Sequence, residues 1–139
     1  MGITYDKAFE TLLKDGTIYQ PPKDAIFDLV KAVLQNKPAL AFDLLQNCKE
    51  VGESSLAILS VLFNSTKQLL QVQSCESQDI EKTTGLTYWQ IKNAKECVGK
   101  YSTNNLIYIM RLVQSVERRI KIGEIEESIA VEYVLSDIL

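Results

Sequence analysis

The sequence contains no histidine. That removes the commonest general base near neutral pH and the commonest metal ligand together. Cysteine is sparse, and Cys48, Cys75 and Cys97 stand far apart with no Cys-x-x-Cys. An odd count without close spacing suits neither a disulfide framework nor a zinc site. The three read as reduced, partly buried thiols in a cytosolic protein. There is no Gly-x-x-x-x-Gly-Lys-[Ser/Thr] loop to cradle phosphates, and no Gly-x-Ser-x-Gly elbow to present a serine nucleophile. No apolar run is long enough to cross a bilayer, and the N-terminus lacks a charged-then-apolar targeting pattern. Met1-Gly2 opens as an acylation signal does, but Asp6 stands where that signal needs Ser or Thr. Neither sign of charge dominates: 15 Lys and Arg oppose 18 Asp and Glu, for a net charge of -3. Nothing in that balance requires nucleic acid or a membrane as partner.

What is present is 46% hydrophobic residues in a chain of 139, enough for one domain with its own core. They recur at helical spacing almost everywhere. Tyr5, Phe9, Leu12 and Leu13 share a face of a short first helix, stopped by Asp15-Gly16. Residues 17 to 23 read as a linker through Pro21-Pro22. Asp24 caps a helix over roughly 24 to 35, with Ile26, Val30 and Val33 inward. Pro38 suits the first turn of the next helix, which carries Leu40, Leu44, Cys48 and Val51 on one stripe and stops at Gly52. Residues 54 to 74 are the most apolar long segment. Leu56, Leu59, Phe63 and Leu70 lie on one side, and Ile58, Val61, Leu62, Leu69 and Val72 widen it, as expected of a central spine.

A short helix around residues 77 to 81 ends at Gly85, and Ile91, Ala94, Val98 and Tyr101 mark another. Ser102 caps a helix over roughly 103 to 121, with Leu106, Met110, Val113, Val116 and Ile120 inward and Gly123 as its stop. The last helix, about 124 to 137, uses Ile125, Ile129, Tyr133 and Val134, with Glu124, Glu126 and Glu127 in its first turn. No stretch alternates at strand period and no solenoid repeat occurs. The expected fold is all-α, a compact bundle of about six to seven helices.

Two constellations invite a functional reading. Residues 79 to 95 have the layout of a helix-turn-helix, with Gln90 and Asn93 as candidates for base edges and Lys92 and Lys95 for phosphates. Asp79, Glu81 and Glu96 in the same unit oppose that reading, and such corners are also common packing units. Tyr88 and Trp89 either pack at a helix start or stand as an aromatic anchor at an interface. The second constellation is Arg111, Arg118, Arg119 and Lys121. It is either a solvated face, helped by a Glu117–Lys121 pair four residues apart, or the polar rim of a subunit contact. Glu126-Glu127 is a poor metal pair, because neighbours on a helix point about 100° apart.

Five stretches, in order, resemble the delta family of bacterial clamp loaders. Ala25-Ile26-Phe27-Asp28-Leu29-Val30-Lys31-Ala32 looks like its opening helix, and Ala41-Phe42-Asp43-Leu44-Leu45 fits the next. Lys67-Gln68-Leu69-Leu70-Gln71-Val72, preceded by Leu62-Phe63, is similar to the family's Arg-x-Leu-Leu-Gln-Val helix. Gly85-Leu86 followed by Trp89-Gln90-Ile91-Lys92 resembles Gly-Leu-x-Pro-Phe-x-Val-Lys, with Tyr88 replacing proline and Trp89 phenylalanine. Glu117 through Ile120-Lys121-Ile122-Gly123 resembles Asp-x-x-Ile-Lys-x-Gly.

The resemblance covers about residues 24 to 139 and leaves residues 1 to 23 as a helix and linker, the tail of a preceding domain. It implies a C-terminal collar domain of the delta subunit of DNA polymerase III, a DNA-directed DNA polymerase complex. In that family the domain joins a pentameric helical collar with the gamma/tau and delta-prime subunits, which loads the sliding clamp during DNA replication. The clamp-opening element lies in an N-terminal module outside this stretch, and delta carries no working ATPase site. The chain is then expected to be non-catalytic and cytoplasmic, in the nucleoid-associated replisome. It needs no cofactor, metal or small-molecule substrate and meets DNA only through the whole complex. Arg111, Arg118, Arg119, Lys121, Tyr133 and Ile138 are the expected partner-interface residues. A DNA-binding regulator using Gln90, Lys92, Asn93 and Lys95 is the competing expectation.

Overall fold

A computed structural model describes residues 22–139. Among the described residues there are seven helices and no strand: α1 Pro22–Leu34, α2 Pro38–Glu50, α3 Ser55–Ser74, α4 Ile80–Thr84, α5 Tyr88–Lys95, α6 Thr103–Lys121 and α7 Glu127–Ile138. The short helix expected around Tyr5, Phe9, Leu12 and Leu13 lies outside them. α1 starts at Pro22, two residues before the expected start at Asp24. Proline tolerates that place because the first N–H of a helix has no intrahelical acceptor.

α3 is the spine. It touches α1, α4, α5, α6 and α7, whereas α2 packs mainly on α1 and α7 also leans on α6. Its buried residues, Ile58, Leu59, Leu62, Thr66, Leu69 and Val72, cover more than one side, which suits a helix surrounded by others. Leu56, Phe63 and Leu70, expected on the inner face with Leu59, are only half-buried. Thr66 is the one buried polar residue among those described. Its hydroxyl donates to the Leu62 carbonyl four residues back, at 2.6 Å, so it costs the core no unpaired donor.

Local chemistry sets the helix ends. Ser54, Asp79, Thr87 and Ser102 each accept from a backbone N–H of the first turn. Thr87 and Gln90 form a reciprocal capping box. Gly85 ends α4 at φ 74°, a left-handed conformation that a Cβ would strain. The connection from α5 to α6 is held by side chains. The Gln73 amide donates to the Tyr101 carbonyl (3.0 Å) and accepts from Gly99 N–H (3.2 Å), while the Tyr101 hydroxyl donates to the Val33 carbonyl (2.8 Å). Ser102→Ala is expected to lower the unfolding free energy by about 1 kcal/mol in urea titrations, with Ser102→Asp near wild type. An alanine variant equal to wild type would show that the cap adds nothing.

Beyond α3, the inward faces of four helices differ from the sequence expectation. On α2 the buried residues are Ala41, Leu45 and Cys48, while Leu40 and Val51 are exposed and Leu44 half-buried. On α7 they are Ala130, Val131, Val134 and Leu135, with Ile129 and Tyr133 outside. In both helices a small alanine takes the inner position that a larger residue was expected to fill. Small side chains permit closer helix approach, and that rotates the stripe. On α6, Ile109 replaces Met110 in the core and Ile120 is half-buried. α5 stops at Lys95, so Val98 falls in a turn and is exposed, while Cys97 and Tyr101 are buried.

Candidate partner-binding face

On α6, Tyr108, Arg111, Ser115, Arg118 and Ile122 follow one another at three- and four-residue steps and form one line. That line is opposite Leu106, Ile109, Val113 and Val116, which face the core. On α7, Ile129 and Tyr133 are one turn apart and point away from the core. The Tyr108 hydroxyl donates to an Asp137 carboxylate oxygen at 2.7 Å and ties the two helices together. This bond, and the nearby Tyr133, hold the Tyr108 phenol above its ordinary pKa. The two lines therefore make one continuous face. Its apolar members are unusually open: Tyr108 50%, Ile122 58%, Ile129 54% and Tyr133 46% exposed.

Of the six expected interface residues, the structure brings together Arg111, Arg118 and Tyr133. Arg119 turns aside and pairs through Nε with Glu124 at 3.3 Å. Lys121 is exposed but a quarter-turn around the helix from Ile122. Ile138 is half-buried and packs against the core. Among the described residues neither Arg111 nor Arg118 has an ion-pair partner, and Glu117 and Lys121 do not pair. Of the three glutamates expected in the first turn of α7, only Glu127 lies there. Glu126 is at the N-cap without a side-chain bond, and Glu124 serves Arg119. Sequence reasoning missed Tyr108, Ile122 and Ile129. The periodic apolar pattern assigned Ile129 to the core, and only packing shows that Ala130 took its place.

The helix-turn-helix reading of residues 79 to 95 fares poorly. α4 is five residues long, a single turn rather than a supporting helix. The Gln90 side-chain oxygen accepts from Thr87 N–H at 2.9 Å and so is held at its own helix start. Asn93 is half-buried at the rim of an apolar cleft of about 70 Å³ between α1, α3 and α5. That volume is far below the ~300–1,000 Å³ of ordinary small-molecule sites. Lys92 and Lys95 are exposed, with Lys92 Nζ 5.0 Å from the Trp89 ring centroid. Tyr88 and Trp89 are exposed and meet edge-to-face at 5.3 Å. Among the described residues no three acidic or cysteine side chains gather to hold a metal, and no helix is long and apolar enough to cross a membrane.

Comparison with known proteins fixes the relationship. The family model described as "DNA polymerase III delta subunit, C-terminal domain" matches residues 23–138. No curated protein sequence matches significantly. Among solved structures, the Bacillus subtilis DNA clamp loader delta protein has a similar fold, with a TM-score of 0.75 at 15% identity. The likeness covers 89% of this chain and 38% of that protein, so the chain spans well under half of its length. A bundle of helices in the order α1 to α7, matched by the family model from one end to the other, belongs to the C-terminal domain family of the DNA polymerase III delta subunit.

Proposed function

We propose that this chain is the assembly part of a clamp-loader delta subunit. It holds that subunit in a pentameric helical collar beside the gamma/tau and delta-prime subunits, and it carries no active site of its own. The match of the family model over residues 23–138 is the observation that carries this reading. The open apolar face on α6 and α7 supports it, because exposed apolar groups gathered in one place mark protein contacts. Arg111, Arg118 and Tyr133 belong to the proposed contact, with Arg119, Lys121 and Ile138 at its margin. Residues 1–23 are proposed as the end of the preceding domain and its linker, with the collar domain over residues 24–139. Clamp opening and placement on primed DNA during replication then fall to the parts of the subunit beyond this domain. The setting is the cytoplasm, at the replisome on the nucleoid.

The test is gel filtration of the chain mixed with purified gamma/tau and delta-prime subunits. Co-elution as one complex is expected, and separate elution of all components rejects the assembly role. In a mobility-shift assay with duplex DNA the isolated chain is expected to give no salt-dependent shift. A shift abolished by Lys92→Glu with Lys95→Glu would restore the DNA-binding alternative.

A further inference from the structure

We propose that the face formed by α6 and α7 seats an amphipathic helix of a neighbouring clamp-loader subunit, one that carries apolar side chains together with two carboxylates about two turns apart. This rests on the assembly reading and specifies its partner. The apolar half of the argument is composition and placement. Single exposed hydrophobic residues are ordinary, but Tyr108, Ile122, Ile129 and Tyr133 share one surface. Tyrosine and arginine are the residues that most often carry binding energy at protein contacts. The Tyr108–Asp137 bond fixes one ring and ties the two helices together, so that ring loses little freedom on docking.

The charged half is spacing. Arg111 and Arg118 are seven residues apart on one line, about 10.5 Å along the helix. A guanidinium presents a planar fork that takes a carboxylate through two hydrogen bonds. Arg119, on the flank, has its carboxylate in Glu124, whereas Arg111 and Arg118 have none among the described residues. Carboxylates on a helix lying along α6, two turns apart, would meet both. A second copy meeting this face through its own α6–α7 face fits less well. The acidic residues of the α7 stripe are Glu126 and Asp137, eleven residues and about 16 Å apart, and Asp137 already accepts from Tyr108. A head-to-tail copy using Asp43 and Glu50 of α2, exposed and seven residues apart, is an outcome that the mass of the chain alone decides. Nucleic acid fits less well too, since Glu124, Glu126, Glu127 and Asp137 border the face and repel phosphate.

The experiment titrates purified gamma/tau and delta-prime subunits with the wild-type chain, with R111E/R118E, and with K92E/K95E as an off-face control. Calorimetry gives affinity, and light scattering gives the mass of each chain alone. The expected result is binding by wild type and K92E/K95E, and a loss of about 100-fold or more for R111E/R118E. Thermal unfolding of R111E/R118E should match wild type, because both arginines are exposed. If the wild type binds and R111E/R118E binds within about threefold of it, the acid-bearing partner is refuted while assembly stands. If the wild type binds neither subunit, both fall. A wild-type dimer that R111E/R118E turns into a monomer assigns the face to a second copy and overturns the proposal. Binding to single-stranded or duplex DNA that R111E/R118E abolishes overturns it in favour of nucleic acid.

Discussion

Leu59→Ala is expected to lower the unfolding free energy by about 3 to 4 kcal/mol. Leu59 is completely buried in α3, the helix against which five others pack. Removing its branched end forfeits the transfer energy of three carbons. It also leaves a cavity that surrounding helices close only in part. Domains of this size are stable by only ~5–15 kcal/mol, so the loss takes about a fifth or more of the total. Leu59→Met keeps the volume and should cost less than about 1.5 kcal/mol. Urea unfolding followed by circular dichroism reads both, with the slope of the transition unchanged if the native state keeps its compactness. A Leu59→Ala cost below about 1 kcal/mol would contradict its place in the packed centre.

The same centre shows what could be read from the chain and what could not. α3 was legible because a helix apolar on several sides has nowhere to go but the middle. The starts at Ser102 and Pro38 and the stops at Gly52, Gly85 and Gly123 were legible because caps and left-handed glycines are local chemistry. The orientation of α2 and α7 was not. Each carries apolar residues over more of its circumference than one neighbour can cover, so periodicity offers two adjacent stripes of similar quality. Ala41 and Ala130 decide between them, because they let the backbone approach its neighbour, and their small size gives a weak signal in sequence. The candidate face follows from that outcome. Once Ala130, Val131, Val134 and Leu135 go inward, Ile129 and Tyr133 must come out, beside the α6 line that Arg111 and Arg118 already marked.

A second large effect is expected at alkaline pH. Burial pushes the Cys48 thiol above its ordinary 9.0, with Glu53 and Asp28 adding to the shift. Burial also raises Cys97, where Glu96 adds and Lys31 and Lys100 partly oppose. Tyr101 is raised above 10.0, again chiefly by burial and then by Cys97, and its hydroxyl must keep its proton to donate to the Val33 carbonyl. In the unfolded chain these groups ionise near their ordinary values, while the fold retains the protons. Above pH ~9 the unfolded state therefore binds fewer protons than the native state, and stability falls as pH rises. The contribution is complete below the unfolded thiol value and disappears as pH climbs through the folded ones. Each retained proton gives a slope of at most about 1.4 kcal/mol per pH unit, and two thiols act over the same range. The urea midpoint should hold steady up to about pH 8 and drop continuously from about pH 9 to about pH 11. Cys48→Val with Cys97→Val should flatten the first part of that fall, and Tyr101→Phe the later part. Glu96 has the opposite sign, since its bond to Lys31 at 2.6 Å holds the carboxyl below the usual range and loses its benefit in acid. That pair is on the surface and contributes little, so the pH response should be lopsided towards base. A midpoint that stays level to about pH 10.5, or a double valine variant that declines as steeply as wild type, would show that these thiols are hydrated and that the core around α1, α2 and α5 is looser than the packing implies.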